Sequence, residues 1–417
     1  MLLLAVQNFL SAGVGLAVAI ALIRGISRQG ASQLGNFWVD LCRGTFRVLL
    51  PLAALAALVF LAFGVVQNFT GTEVDNPVLG VQQQIPGGPV ASQEVIKLLG
   101  TNGGGYFNAN SAHPFENPTA ASSLFSVFLL LLIPSALPYA YGRMVGSQRQ
   151  GYTVLTVMAS LWLVSTRLMA WATASAGSSG EGMEQRFGPA ASSLFASATT
   201  LTSTGAFITA HDSLPALSGG MALLNMMLGE IAPGGVGSGL YGMLVLAIIA
   251  VFIAGLMVGR TPEFLGKKIG ARQMKLAALY ILVTPVLVLT GTAVTMLIPE
   301  QAAQAPGQGP HQFSQLLYAF TSAANNNGSA FGSITSSEPY LATVLGIAMF
   351  LGRFLPIILV LALAGSLAQQ RPIPESVGTV PTYGGLFASL LTVVAVALTA
   401  LTYFPALALG PLAEGLS

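Results

Sequence analysis

Eight apolar stretches, each close to the ~20 residues that cross a bilayer as a helix, constrain this chain more than any other feature. They run at Leu3 to Ile23, Val48 to Phe69, Ser122 to Tyr141, Tyr152 to Ala174, Met221 to Val258 with a break, Leu276 to Ile298, Leu341 to Leu367 and Leu386 to Leu409. Lipid offers the backbone no hydrogen bonds, so such segments are helices. The reading is an all-α polytopic membrane protein. Composition agrees, because 53% of the 417 residues are hydrophobic and only 7% are charged, too few to solvate an ordinary soluble domain. The first stretch has no basic start, and Arg24 and Arg28 follow it, so it reads as a membrane helix and not as a cleaved leader.

The basic residues orient the bundle. Arg24, Arg28, Arg43 and Arg47 fall in one connection, Arg143 and Arg149 in the next alternate one, Arg260, Lys267, Lys268, Arg272 and Lys275 in the third, and Arg371 in the fourth. Those connections are expected on the cytoplasmic side. The remaining connections carry most of the acids, including Glu73, Glu94, Glu116, Asp212 and Glu338, and should face outward. Trp38 reads as an interface anchor, and Arg167 as buried by a neighbouring helix. A net charge of +2 without basic runs interleaved with aromatics argues against a nucleic-acid partner; the partner that composition implies is membrane lipid. Cys42 is the single cysteine, which excludes a disulfide framework or thiolate metal cluster. His113, His211 and His311 have no metal-ligand spacing and read as loop histidines.

Three outward connections repeat one pattern: Thr101-Asn102-Gly103, Ser203-Thr204-Gly205 and Asn326-Asn327-Gly328. Each follows a short half-polar helical segment, at Ser92 to Leu99, Ala190 to Thr202 and Phe313 to Ala323, and each precedes a long apolar run. Glycine reaches backbone conformations closed to other residues, so neighbouring carbonyls can turn toward one axis and replace a cation's hydration shell. Half-helices ending there would add the negative ends of their dipoles. The competing reading is that small polar residues merely connect membrane helices, and the threefold recurrence weighs against it. Gly205 follows Gly103 by 102 residues and Gly328 follows Gly205 by 123, and the unmatched leading helix then closes an earlier unit. A fourth loop and two more apolar helices are expected in frame upstream of Met1, with a start codon assigned too far downstream as the favoured explanation.

The fifth run breaks at Gly229-Glu230-Ile231-Ala232-Pro233-Gly234-Gly235-Val236-Gly237-Ser238-Gly239. Irregular backbone at membrane depth is tolerated where protein buries it or where it lines a water-filled cavity. Glu230, Gly234 and Gly235 are therefore candidates for a pore or gate, against a loop at the membrane surface. Arg353 lies in the middle of the seventh run, where a charge costs ~2.5 to 3.5 kcal/mol on insertion scales, so it faces a cavity or a partner, or else snorkels to the cytoplasmic side. Arg260 is equally a functional group or a positive-inside anchor.

These residues resemble KdpA, the potassium-binding component of the bacterial Kdp-type potassium-transporting ATPase. The resemblance is carried by Leu4 to Ala12, Leu99 to Gly105, His113-Pro114-Phe115-Glu116-Asn117-Pro118, Gly234 to Gly242, Gly259-Arg260-Thr261-Pro262-Glu263 and Ala323 to Phe331. It implies the potassium channel and transporter superfamily, with repeated units of membrane helix, pore half-helix, filter loop and membrane helix. The corresponding divisions are 1–30 as the closing helix of a truncated first repeat, 44–145 as the second repeat with its filter loop at 100–106, 150–260 as the third with its loop at 202–208 and the interrupted helix, 272–368 as the fourth with its loop at 324–329, and 383–412 as an extra C-terminal helix. It also implies potassium at Gly103, Gly205, Gly328 and the polar residues before them, a gating region at the break, and inward-side roles for Arg353 and Arg260. The family's partners are KdpB, which is the P-type ATPase of the complex, together with KdpC and the small KdpF, in the bacterial inner membrane with the filter loops outward. Two departures stand out. The family's first helices and first filter loop have no counterpart, and Thr204 stands where a cysteine can precede the glycine.

The expected function is thus a non-catalytic, potassium-selective subunit that binds external potassium and delivers it through an intramembrane tunnel to the ATPase. The sequence has no Asp-Lys-Thr-Gly phosphorylation motif and no Gly-rich nucleotide loop ending in Lys-Ser/Thr, so no nucleotide is expected on this chain. The alternative is a passive potassium channel or ion-coupled transporter of the same superfamily. An intramembrane hydrolase would need paired catalytic groups within the membrane, and Asp40, Asp75 and Asp212 lie outside the apolar runs.

Overall fold

A computed structural model describes residues 2–78, 80–176, 180–259, 261–332, 334, 337–371 and 380–416. Among them, eight helices are long and apolar enough to cross a membrane: Leu2–Ser27, Phe37–Ala62, Ala120–Met144, Gln148–Ser175, Ser238–Met257, Ala271–Met296, Pro339–Ala368 and Gly385–Leu416. They follow the eight apolar stretches in order. The chain is a multi-pass, mostly helical membrane protein.

The second span departs most from its apolar stretch. It starts at Phe37, passes through a π-turn at Gly44–Leu49 and ends at Ala62, just before Gly64 takes a φ of 92°. Asp40 therefore lies inside a span, contrary to expectation, because apolarity marks the lipid-facing part of a helix and not its polar beginning. Its carboxylate is buried against Arg24, whose Nη2 donates to Oδ1 at 2.9 Å. Trp38, beside it, is exposed.

Local chemistry sets other boundaries. Thr119 accepts from Ser122 N at 3.1 Å while Ser122 Oγ accepts from Thr119 N at 3.0 Å, a reciprocal cap that opens Ala120–Met144. Glu338 accepts from Leu341 N at 3.0 Å, and Pro339 supplies a first residue with no amide to satisfy. Ser238–Met257 is apolar and mostly buried, so it sits in the centre of the bundle. Other spans turn Leu55, Leu58, Ile358 and Leu401 outward, as a lipid-facing surface does. Arg167 is also exposed, which corrects its expected burial: among the described residues no neighbouring helix covers that face of Gln148–Ser175.

Two small hairpins complete the fold. Thr72–Asn76 pairs with Val81–Ile85 as an exposed ribbon. Glu263–Phe264 pairs with Lys267–Lys268, and the buried Lys267 ammonium donates to the carbonyls of Arg28 and, at 2.9 Å, Gln370. That one cation ties together the chain just beyond the first and seventh spans.

Three shorter helices, Val90–Leu99, Gly188–Leu201 and Pro310–Asn325, enter the bundle without crossing it. Their polar residues survive burial by bonding back to the helix: Thr200 Oγ1 donates to Ala196 O and Thr202 Oγ1 to Ala198 O, both at 2.7 Å, and Ser314 Oγ donates to Pro310 O at 2.9 Å. Such back-bonding satisfies hydroxyls where water is excluded.

Candidate functional site

All three half-helices end in one conformation. The residue two before the glycine is left-handed, with φ of 52° at Thr101, 59° at Ser203 and 61° at Asn326, and the glycines follow at 72°, 70° and 97°. The intervening residue donates its N–H to the carbonyl five residues back: Asn102 to Lys97 at 2.9 Å, Thr204 to Thr199 at 3.2 Å and Asn327 to Ser322 at 2.9 Å. This is the Schellman helix ending. Its consequence is chemical, because loop amides are consumed by the helix end while the loop carbonyls lie outside the helix ladder; in the first loop Gly103 O accepts from Asn8 Nδ2 at 3.3 Å and Gly104 O from Asn110 Nδ2 at 2.9 Å.

The loops also abut one another. A Cβ built on Gly103 would lie 1.7 Å from Thr204 O, and one on Gly205 would lie 2.3 Å from Asn327 O. At Gly328 a Cβ would meet nothing within 4 Å among the described residues. Side chains between them brace the loops. With its amide nitrogen turned toward two carbonyls, Asn102 donates to Gly100 O and Asn8 O at 2.9 Å and accepts from Ser11 Oγ at 3.0 Å. Thr204 bonds Thr202 at 2.8 Å, Asn326 donates to Met349 O at 3.1 Å, and Asn327 accepts from Ser329 N and Oγ.

The break between Ala216–Met227 and Ser238–Met257 touches all three loops. Val236 N donates to Thr101 Oγ1 at 2.9 Å, Gly234 N donates to Leu201 O at 3.0 Å, and Glu230 Oε1 accepts from Asn327 Nδ2 at 2.7 Å. Gly235 packs against Ser203, its nearest approach for a Cβ other than Ser238. Glu230 is buried with φ 51°, so the surface-loop reading of this segment does not hold. A Cβ on Gly237 would lie 2.0 Å from Gly15 O, and this close approach presses the first span onto the break.

Beneath the loops lies a cavity of about 140 Å³, lined by Ser203, Glu230, Tyr241, Tyr280, Asn326 and Arg353 among others. Glu230 and Arg353 share the wall of this cavity without forming an ion pair: among the described residues no carboxylate lies within 4 Å of Arg353. Arg353 Nη2 donates instead to Ser11 Oγ at 3.0 Å. The guanidinium is thus linked through Ser11 to the Asn102 side chain, while Glu230 is taken by Asn327. Arg260 lies outside the described residues.

Pattern reading missed a buried ionic cluster behind the first loop. Lys97 Nζ lies 2.6 Å from Glu94 Oε2 and 2.9 Å from Glu116 Oε2, and all three side chains are buried. Burial pushes the Glu94 carboxyl up to about 8, with Lys97 pulling the other way. Burial opposes ionisation of Glu116 too, yet Lys97 and hydrogen bonds hold it below the ordinary carboxylate range. The signal available in the sequence was the i,i+3 spacing of Glu94 and Lys97 on a segment ending at a glycine loop. The histidines prove more structured than loop residues. His211 is buried, held down to about 4 by burial, and bonds Tyr318 OH at 2.7 Å. His311 lies between Asp212 at 3.2 Å and Glu414 at 3.0 Å, and His113 stacks on Phe107.

A family model described as "Potassium-transporting ATPase A subunit" matches residues 1–416. The chain is 60% identical over 422 residues to a potassium-transporting ATPase potassium-binding subunit of Streptomyces griseus, covering 99% of this chain and 76% of that protein. Like-named proteins of Clavibacter michiganensis and Mycobacterium avium are 60% and 58% identical, with the same coverage. In three dimensions the chain is similar to the potassium transporter TrkH of Vibrio parahaemolyticus, with a TM-score of 0.53 and 17% identity over 86% of this chain and 71% of that one. At that identity the likeness concerns the fold.

Proposed function

The chain belongs to the potassium-transporting ATPase A subunit family, and from that premise we propose that it is the potassium-binding, non-catalytic subunit of an ATP-driven uptake complex. The observation that carries the site is the shared ending of three half-helices. The carbonyls around Thr101-Asn102-Gly103, Ser203-Thr204-Gly205 and Asn326-Asn327-Gly328 are the filter. Three helix C-termini bring partial negative charge toward a cation there, and carbonyls substitute for its water. The side chains of these triplets act mainly by holding the backbone.

Below the filter, the break at Glu230, Gly234 and Gly235 forms a floor tied to every loop, and the cavity under it receives the ion. Arg353 places a fixed positive charge on the cavity wall, which opposes a straight exit and turns potassium toward a partner; Arg260 is assigned the same inward side by the family pattern. The partner is KdpB, the P-type ATPase of the complex, accompanied by KdpC and the small KdpF. The complex sits in the bacterial inner membrane with the filter loops facing outward. Potassium is the cargo, and ATP is hydrolysed on the partner.

The decisive experiment assays ATP hydrolysis and potassium flux in the same vesicles, using complex that carries Arg353→Met. Loss of coupling is expected, as a passive potassium leak or as ATP turnover without uptake. Wild-type coupling would reduce Arg353 to a structural charge. Uptake by wild-type vesicles without ATP would instead favour a passive channel.

A further inference from the structure

We propose that Lys97 is a positioning residue for potassium selectivity: its backbone carbonyl and its side-chain ammonium clamp the first glycine loop from both sides. The inference deepens the filter reading and rests on it.

Lys97 holds the loop twice. Its carbonyl accepts from Asn102 N at 2.9 Å and Gly103 N at 3.3 Å, fixing the inner arm at the helix end. Its side chain runs to the outer arm, where Nζ donates to Asn110 Oδ1 at 2.7 Å. Asn110 Nδ2 then donates to Gly104 O at 2.9 Å, the carbonyl next after the filter glycine. The route from ammonium to loop carbonyl is therefore two hydrogen bonds long.

The other two donors of the ammonium anchor this route. Glu116 receives one through Oε2, and its Oε1 accepts from Phe107 N at 2.7 Å, so the same carboxylate holds the outer arm a second time. Glu94 receives the other, and its Oε1 accepts from Ser111 Oγ at 2.7 Å. An ammonium has three donors, and all three are engaged. Lys97 is fully buried, so each bond acts without competition from water, and an unmet partner would be costly. Asn110 holds a left-handed φ of 54°, which fits a residue fixed by its side-chain bonds.

Among the described residues, the corresponding positions of the other loops carry no such clamp. Thr199 and Ser322 offer the same backbone carbonyl to Thr204 and Asn327, but Ser322 Oγ accepts directly from Gly328 N at 3.0 Å and does not extend to an outer arm. Among the described residues, the first loop is thus the one whose two arms are joined by the side chain of the residue that caps the helix end.

The test compares Lys97→Met and Asn110→Ala in the assembled transport complex, reading the potassium concentration for half-maximal ATPase activity, the maximal rate and the potassium-to-rubidium preference. Lys97→Met is expected to raise the half-maximal concentration by about tenfold and to flatten the preference, with the maximal rate per assembled complex kept within about twofold. Asn110→Ala, which leaves both carboxylates on Lys97, should move the same two quantities less. If Lys97→Met does not assemble, Asn110→Ala decides alone. A lower maximal rate or yield with unchanged half-maximal concentration and unchanged preference would make Lys97 a packing residue and overturn the proposal. Gly103→Asp serves as the control for the filter itself. Altered selectivity there with none in the clamp variants sinks the clamp alone, whereas unaltered selectivity in Gly103→Asp removes the filter reading beneath it.

Discussion

Around Gly103 the loop is held from outside by an ammonium and two carboxyls, whereas around Gly328 the same backbone is held by neutral groups. There, Ser329 Oγ bonds Asn327 Oδ1 at 2.6 Å and Tyr318 OH at 2.8 Å, and Tyr318 in turn meets His211. The inward connections differ as well: Asn327 reaches Glu230 in the break, while Thr101 receives a single amide from Val236. Two chemistries therefore converge on one helix ending. A buried charge cluster is stiff but fails badly when one member is lost, because the others remain charged and unpaired. A hydroxyl and amide network loses one bond at a time. The first loop is built as a fixed wall, and the third as the side that communicates with the floor.

The largest expected contrast lies at the glycines. A Cβ at Gly103 collides with Thr204 O at 1.7 Å, a backbone atom that cannot step aside cheaply, so Gly103→Ala should cost more than ~3 kcal/mol and abolish selective uptake. Among the described residues Gly328→Ala faces only its left-handed φ of 97°, about 1–2 kcal/mol, and should retain uptake at reduced affinity. Equal damage at the two sites in potassium-dependent ATPase assays would break the comparison.

Next come the braces themselves. Lys97→Met leaves Glu116 buried without its ammonium and should destabilise the protein by about 3–5 kcal/mol, whereas Tyr318→Phe removes one hydroxyl between Ser329 and His211 and should cost about 1–2 kcal/mol. Thermal unfolding of the detergent-solubilised complex ranks them, and the reverse order would show that the neutral network is the stronger brace.

The smallest effect is with pH. Burial raises the Glu94 carboxyl from an ordinary value near 4.5 to about 8, so across that interval the folded protein keeps a proton that the unfolded chain releases. Stability contributed by this group therefore falls as pH rises through the interval. Lys97 and Glu116 face Glu94 directly, and His113 and Arg186 act at the far side of that cluster. Because Lys97 is held above its ordinary value and Glu116 below, their own losses fall at higher and lower pH. Glu94→Gln should flatten the dependence between about pH 5 and 8, measured as thermal stability, and Tyr318→Phe should leave it unchanged. A Glu94→Gln profile parallel to wild type would show that the proton sits elsewhere.

Much of this molecule was legible from its order of residues alone. Apolar length dictated eight spans, since lipid admits a backbone only when it satisfies itself. The triplets ending at Gly103, Gly205 and Gly328 announced three equivalent turns, because a glycine reaches backbone conformations closed to other residues, although the left-handed helix endings themselves fall on Thr101, Ser203 and Asn326. The run Gly229 to Gly239 announced an interruption for the same reason. Other features depended on the folded arrangement. Nothing local to Glu94 and Lys97 reveals that Glu116, nineteen residues on from Lys97, closes their cluster, because charge pairing across a loop depends on where the chain returns. Likewise the hydrogen-bond partners of Arg353 and Glu230 are Ser11 and Asn327, since such partners at membrane depth are chosen by which helices pack together. Periodicity and turn chemistry act over a few residues and can be read there; the bracing of the site acts across as many as 342 residues, and only packing decides it.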